Sequence, residues 1–163
     1  MNLETLATEV GQLLSRQNLV LTTAESCTGG WVAQAVTSVP GSSRWFDRGV
    51  VVYSNVSKQE LLGVRAETLT RFGAVSESTV REMAEGALSR SRAQVALAVT
   101  GIAGPDGGSN EKPTGTVWFA WAGKDRPTVA AHHIFSGDRQ EVRHQAAEEA
   151  LRGVVNFIDM QLA

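Results

Sequence analysis

Val95-Ala96-Leu97-Ala98-Val99-Thr100 is a short and almost wholly apolar run, and it restricts the fold more than any other stretch. A strand without a polar face must be covered on both sides, as the central strands of α/β sheets are. Just before it, Val80, Met83, Ala84, Ala87 and Leu88 recur at helical spacing behind Ser76 or Ser78 as cap, so a helix leads into the strand. The same alternation runs through the rest of the chain. Leu3, Leu6, Val10, Leu13 and Leu14 predict a helix ending near Gln17-Asn18, and Leu19 to Ala24 a buried strand. Trp31, Val32, Ala35 and Val36 give a second helical face, stopped by Val39-Pro40-Gly41, and the valine-rich stretch from Asp47 to Tyr53 suits a strand. Ser57 and Glu60 have capping-box spacing, which predicts a short helix from about Lys58 to a left-handed stop at Gly63. Thr116–Ala122 and Thr128–Phe135, separated by Gly123–Pro127, are close enough for an antiparallel hairpin. Val142, Ala146, Ala150, Val154 and Ile158 mark a long terminal helix. The expected fold class is α/β: a three-layer α/β/α sandwich around a mixed sheet of about five strands, forming one domain over residues 1–163.

Charge narrows the range of partners. The net charge of −2 is spread along 163 residues with both signs interleaved, so there is no basic stripe to follow a phosphodiester backbone, and nucleic acid is not an expected partner. One cysteine cannot form an intramolecular disulfide, and the first residues lack a basic segment followed by an apolar core, so a cytoplasmic protein is expected. No apolar run approaches the roughly 20 residues of a membrane span. No Cys/His/carboxylate cluster has ligand spacing, so no metal is expected.

The chemistry concentrates where the first strand ends, in Thr22-Thr23-Ala24-Glu25-Ser26-Cys27-Thr28-Gly29-Gly30. A helix start exposes unpaired amides, so Ser26 to Gly30 have the character of an anion or oxyanion site, and Gly29 and Gly30 let a ligand approach the backbone. The same residues also read as a plain helix cap through Ser26 or Thr28. Cys27 is the rival nucleophile, since a helix start lowers a thiol pKa. A cysteine nucleophile calls for a histidine, however, and the adjacent His132 and His133 must point to opposite faces of a strand, so Cys27 reads as a buried filler. Lys58 is the candidate base. Near a helix start the dipole disfavours its charge, and apolar walls would lower its pKa further; the alternative is a solvated surface lysine. Tyr53 either relays a proton or caps the sheet with its polar tip outward. The glycine-rich segment from Thr100 and Gly101 through Gly104 to Gly115 leaves the end of a central strand, where open α/β sheets bind ligands, but it matches neither a P-loop nor a dinucleotide fingerprint. Arg139 either clamps a phosphate beside helix amides or points to solvent behind Asp138 as cap.

Ala24–Gly30 (AESCTGG), Val52-Tyr53-Ser54-Asn55 with Lys58, Gly73-Ala74-Val75-Ser76, and Thr100–Gly108 with Lys112-Pro113-x-Gly115-Thr116-Val117 occur in this order. Together they resemble the nicotinamide-nucleotide amidase family, also known as the CinA C-terminal domain, over essentially the whole chain. The resemblance implies a three-layer sandwich with one antiparallel strand and hydrolysis of the carboxamide of nicotinamide mononucleotide in pyridine-nucleotide salvage, with no cofactor. It also implies a dyad of serine at Ser26 and lysine at Lys58, with Tyr53 and Thr100 at polar positions of the site. On this reading the oxyanion sits against amides near Thr28, Gly29 and Gly30 or Gly101. Arg139 and the glycine loop with Gly104 take the 5′-phosphate, and Asn55 and Thr100 lie near the ribose or amide. The expected partner is the nucleotide substrate, with a homodimer as the expected assembly of a small α/β enzyme.

Overall fold

The computed structural model describes residues 2–160. Helix α1 (Leu3–Arg16) starts behind Asn2, whose side chain accepts from the Thr5 amide, and its buried stripe contains Leu6, Val10, Leu13 and Leu14. Strand β1 (Leu21–Glu25) is buried at every position. It is followed by α2 (Trp31–Thr37) and a 3₁₀ turn at Ser42–Arg44. Strand β2 (Phe46–Val51) ends two residues earlier than the valine pattern suggests, because Val52 and Tyr53 already turn toward the next helix.

That helix, α3 (Asn55–Leu62), corrects the capping expectation. The Ser57 amide donates to the Ser54 hydroxyl, so Ser54 is the cap and the helix begins one turn earlier, with Lys58 as its fourth residue. Gly63 ends it at φ 70°, a conformation open to glycine. A helix absent from the sequence reading follows: α4 (Ala66–Phe72) buries only Thr68 and Leu69, too few positions for a periodic stripe. Helix α5 (Glu77–Ser89) is capped by Ser76, and β3 (Val95–Gly101) is buried up to its last residue.

Strands β4 (Thr116–Gly123) and β5 (Arg126–Ile134) form the expected hairpin. Its turn is tighter than the sequence suggests: Gly123 pairs with Arg126, and Asp125 takes φ 65°. Pro127, which lacks an amide for a ladder, fits in β5 because β5 is an edge strand. Helix α6 (Arg139–Asp159) starts with a complete capping box between Asp138 and Glu141.

The sheet order is β2-β1-β3-β4-β5. Strands β2, β1 and β3 run parallel, β4 runs against them and β5 returns, so β4 alone opposes the other four. Two cores flank the sheet. One joins α1, α2 and α6 through residues such as Leu14, Val32, Leu151 and Phe119. The other joins α3, α4 and α5 through Leu62, Leu69 and Met83. Each fully buried large side chain, such as Leu14 or Leu21, contributes about 1.5–3 kcal/mol relative to exposure.

The chain leaves β1 toward β2 through α2 on one face. It returns from β2 past β1 to β3 through α3–α5 on the other. The carboxyl end of β1 is therefore a topological switch point, where an open α/β sheet leaves a crevice.

Candidate active site

The turn after β1 lies at that point. Its first residue, Ser26, is held at both ends: its amide donates to the Val99 carbonyl at 3.0 Å and its carbonyl accepts from the Gly29 amide at 3.1 Å. The Ser26 Oγ faces the α3 layer, where Lys58 Nζ lies 3.1 Å away. Helical side chains lean toward the N-terminus of their helix, which carries the Lys58 ammonium back to the Val52 carbonyl at 2.9 Å and the Tyr53 carbonyl at 3.1 Å. Lys58 is 1% exposed, and no acidic side chain is among its hydrogen-bond partners in the described residues. Burial lowers its pKa from the ordinary lysine value, partly offset by attraction to the Cys27 sulfur.

Cys27 has the opposite character. Burial pushes its thiol up to about 12, against a lowering contribution from its own amide, and Glu25 adds to the rise. A thiol held protonated in this way is a poor nucleophile. The histidines lie elsewhere: His132 stacks on Trp118, His133 packs against Phe135 and Glu149, and His144 pairs with Glu148.

The positive end of α2 is already occupied. Glu25, 1% exposed, accepts from the Thr28 hydroxyl at 2.6 Å and from the Gly30 and Val32 amides on one oxygen, and from the Ala33 amide on the other. The Gly29 and Trp31 amides donate to the Ser26 and Thr28 carbonyls. Among the described residues no carbonyl or carboxylate takes the amides of Cys27 and Thr28. Sequence reading missed Glu25, because its donors lie three, five, seven and eight residues further on and only the folded turn brings them together.

Arg143, one turn beyond Arg139 on α6, was also missed. Its Nε donates to the Cys27 carbonyl at 3.0 Å and one terminal nitrogen to the Thr28 carbonyl at 3.3 Å, bracing the turn from outside. Arg139 donates to the Gly104 carbonyl at 2.7 Å and to the Tyr53 hydroxyl at 3.2 Å, joining the glycine loop to the segment between β2 and α3. Tyr53 is 63% exposed, and it reaches Lys58 through its carbonyl while its hydroxyl faces Arg139. Thr100 is buried and donates to the Ala74 carbonyl; Asn55 is exposed at the start of α3. A side chain at Gly101 would meet Val117, the Thr116 carbonyl and the Cys27 sulfur within 3.1 Å, so only glycine allows β3 to pass so close to the turn. A cavity of about 420 Å³ opens beside the turn, lined by residues that include Thr28, Gly30, Gln34, Gln140 and Arg143.

Comparison with known proteins now decides the family: the model described as "CinA C-terminal domain" matches residues 3–158. The chain belongs to the CinA C-terminal domain family. Within it, the chain is 55% identical over 147 residues to the nicotinamide-nucleotide amidohydrolase PncC of Escherichia coli (strain K12), covering 90% of this chain and 89% of that protein. It is 56% identical over 150 residues to the protein of the same name from Enterobacter agglomerans, covering 92% of each. Among solved structures, the CinA superfamily protein KP700603 from Klebsiella pneumoniae 700603 aligns with a TM-score of 0.94 at 39% identity, over 98% of this chain and 99% of that one. The CinA fold is thus the three-layer sandwich with a single opposed strand that the sequence leads one to expect.

Proposed function

We propose that this CinA-family chain hydrolyses the carboxamide of nicotinamide mononucleotide to nicotinate mononucleotide and ammonia. The observation that carries the reading is the buried Ser26–Lys58 pair, 3.1 Å apart at the switch point. The relatives named nicotinamide-nucleotide amidohydrolase supply the substrate.

A neutral lysine amine has two protons and one lone pair. The Val52 and Tyr53 carbonyls are placed to take the two protons, leaving the lone pair for the Ser26 hydroxyl proton. Lys58 removes that proton as Ser26 Oγ attacks the amide carbon. The tetrahedral oxyanion is met by the amides of Thr28 and Cys27, because those of Gly29 and Gly30 are already bound. The lysine proton passes to the departing ammonia, and water releases nicotinate mononucleotide from the acyl-serine by the reverse proton path. Arg139 holds the 5′-phosphate with the N–H groups that the Gly104 carbonyl and Tyr53 hydroxyl leave open, and Asn55 and Thr100 border the ribose and amide.

No helix in the described residues is long and apolar enough to cross a membrane, and the reading is of a cytoplasmic homodimeric enzyme. The test is ammonia release from nicotinamide mononucleotide by wild type and Ser26→Ala. Turnover by the first and its loss, by a factor of about a thousand or more, in the second is the expected result. Substrate binding without turnover in the wild type would replace the enzyme by a nucleotide-binding sensor.

A further inference from the structure

One strand end serves two layers. Side chains alternate along β1, so Ser26 faces Lys58 of α3 while Glu25 faces Val32 and Ala33 of α2. The main chain of Glu25 is fixed independently of its side chain, by pairing with Val99 and Val51 and by the Val52 amide donating to its carbonyl at 2.8 Å. Its carboxylate is therefore a stationary acceptor against which the following turn is shaped.

Four donors converge on it: the Thr28 hydroxyl and the amides of Gly30, Val32 and Ala33. An empty helix start beside a reacting carbonyl would offer these amides to any nearby anion. Here a resident carboxylate takes them instead. The donors left are the Cys27 and Thr28 amides, which lie between two clamped points, Ser26 and Thr28. The direction of the Thr28 amide follows from how Thr28 is held, and Glu25 holds it by the shortest of its contacts, with Arg143 and the Trp31 amide on the carbonyl side.

We infer that Glu25 is a positioning residue for the amide hydrolysis: its carboxylate withdraws the α2 amides from the substrate and fixes the Cys27–Thr28 turn so that its two amides face the developing oxyanion. The inference rests on the amidase reading above. A plain helix cap would affect stability alone, whereas a positioning carboxylate acts on the transition state more than on the bound substrate.

The experiment is steady-state ammonia release from nicotinamide mononucleotide by wild type, Ser26→Ala, Glu25→Gln, Thr28→Ser and Thr28→Val, with thermal melts of each. In Glu25→Gln an NH₂ group replaces one acceptor oxygen and opposes an amide donor. The expected result is a kcat lowered about 100-fold, the scale of one lost oxyanion donor, with KM within about threefold of wild type. Thr28→Val, which removes the hydroxyl bond to Glu25, is expected to fall about tenfold further in kcat than Thr28→Ser, which retains it. If Glu25→Gln does not fold, the Thr28 pair decides. A folded Glu25→Gln with kcat within threefold of wild type overturns the inference, as does equal kcat in the two Thr28 variants. A wild type without turnover overturns the amidase reading and this inference together, whereas wild-type turnover with an indifferent Glu25 removes the inference alone.

Discussion

At the scale of single residues, burial disfavours the charged form of both ionisable groups beside Ser26, and each shift has a consequence in solution. Burial lowers the pKa of Lys58, and the proposed mechanism uses its free amine. kcat/KM is expected to rise with pH through that pKa and level off above it, with the rise centred below the unperturbed lysine value of about 10.4. Lys58→Met should abolish both the activity and the limb. Stability changes in the same direction. Between the folded and unfolded pKa values the native chain binds fewer protons, so unfolding free energy increases with pH across that window, an increase that denaturant titrations of Lys58→Met should lack. The thiol of Cys27, pushed up to about 12, should resist iodoacetamide at pH 8 in the native enzyme and react only once denaturant is added; rapid alkylation with parallel loss of activity would return Cys27 to the role of nucleophile. Local patterns located the strand end at Ser26, but they left a helix cap and a surface lysine open, and it was the ordered family motifs that singled out Ser26 and Lys58. Glu25 and Arg143 were not legible in the sequence, since their roles depend on which backbone groups remain unpaired, and one of those contacts spans 116 positions.

At the scale of elements, two helix–neighbour contacts depend on glycine. A Cβ at Gly86 of α5 would overlap the Leu62 carbonyl at the end of α3, and one at Gly153 of α6 would overlap the Trp121 ring. Gly→Ala in a helix gains about 1 kcal/mol of propensity, but overpacking typically costs about 1–3 kcal/mol. Both variants should therefore be less stable in chemical denaturation. They should separate in catalysis: Gly86→Ala pushes on the helix that carries Lys58 and is expected to lower kcat at least tenfold, while Gly153→Ala, against β4 and far from Lys58, should keep kcat per folded molecule. Equal effects would mean that α3 does not set the lysine position. Periodicity disclosed the long helices, whose buried stripes are wide. It failed at α4, where two buried residues leave no stripe, and at the start of α3, where Ser54 and Ser57 compete for the cap and only the amide geometry selects Ser54.

At the scale of the whole molecule, the parallel order β2-β1-β3 opens a crevice at the carboxyl end of β1, and the hairpin that follows adds one opposed strand before the edge strand β5. The apolar run of β3 and the helix–strand alternation suffice to anticipate that architecture, because a strand with no polar face admits few surroundings. The meeting of three layers at one strand end could not be read in advance: the serine follows the central strand β1, the lysine belongs to one covering layer, and both bracing arginines to α6 in the other. As the polypeptide emerges from the ribosome, it therefore displays Ser26 and Lys58 long before the brace for their turn has been synthesised. A nascent chain halted before Arg143 should be unable to release ammonia, however well the preceding residues have collapsed, so on this reading the amidase switches on only once α6 has emerged from the exit tunnel.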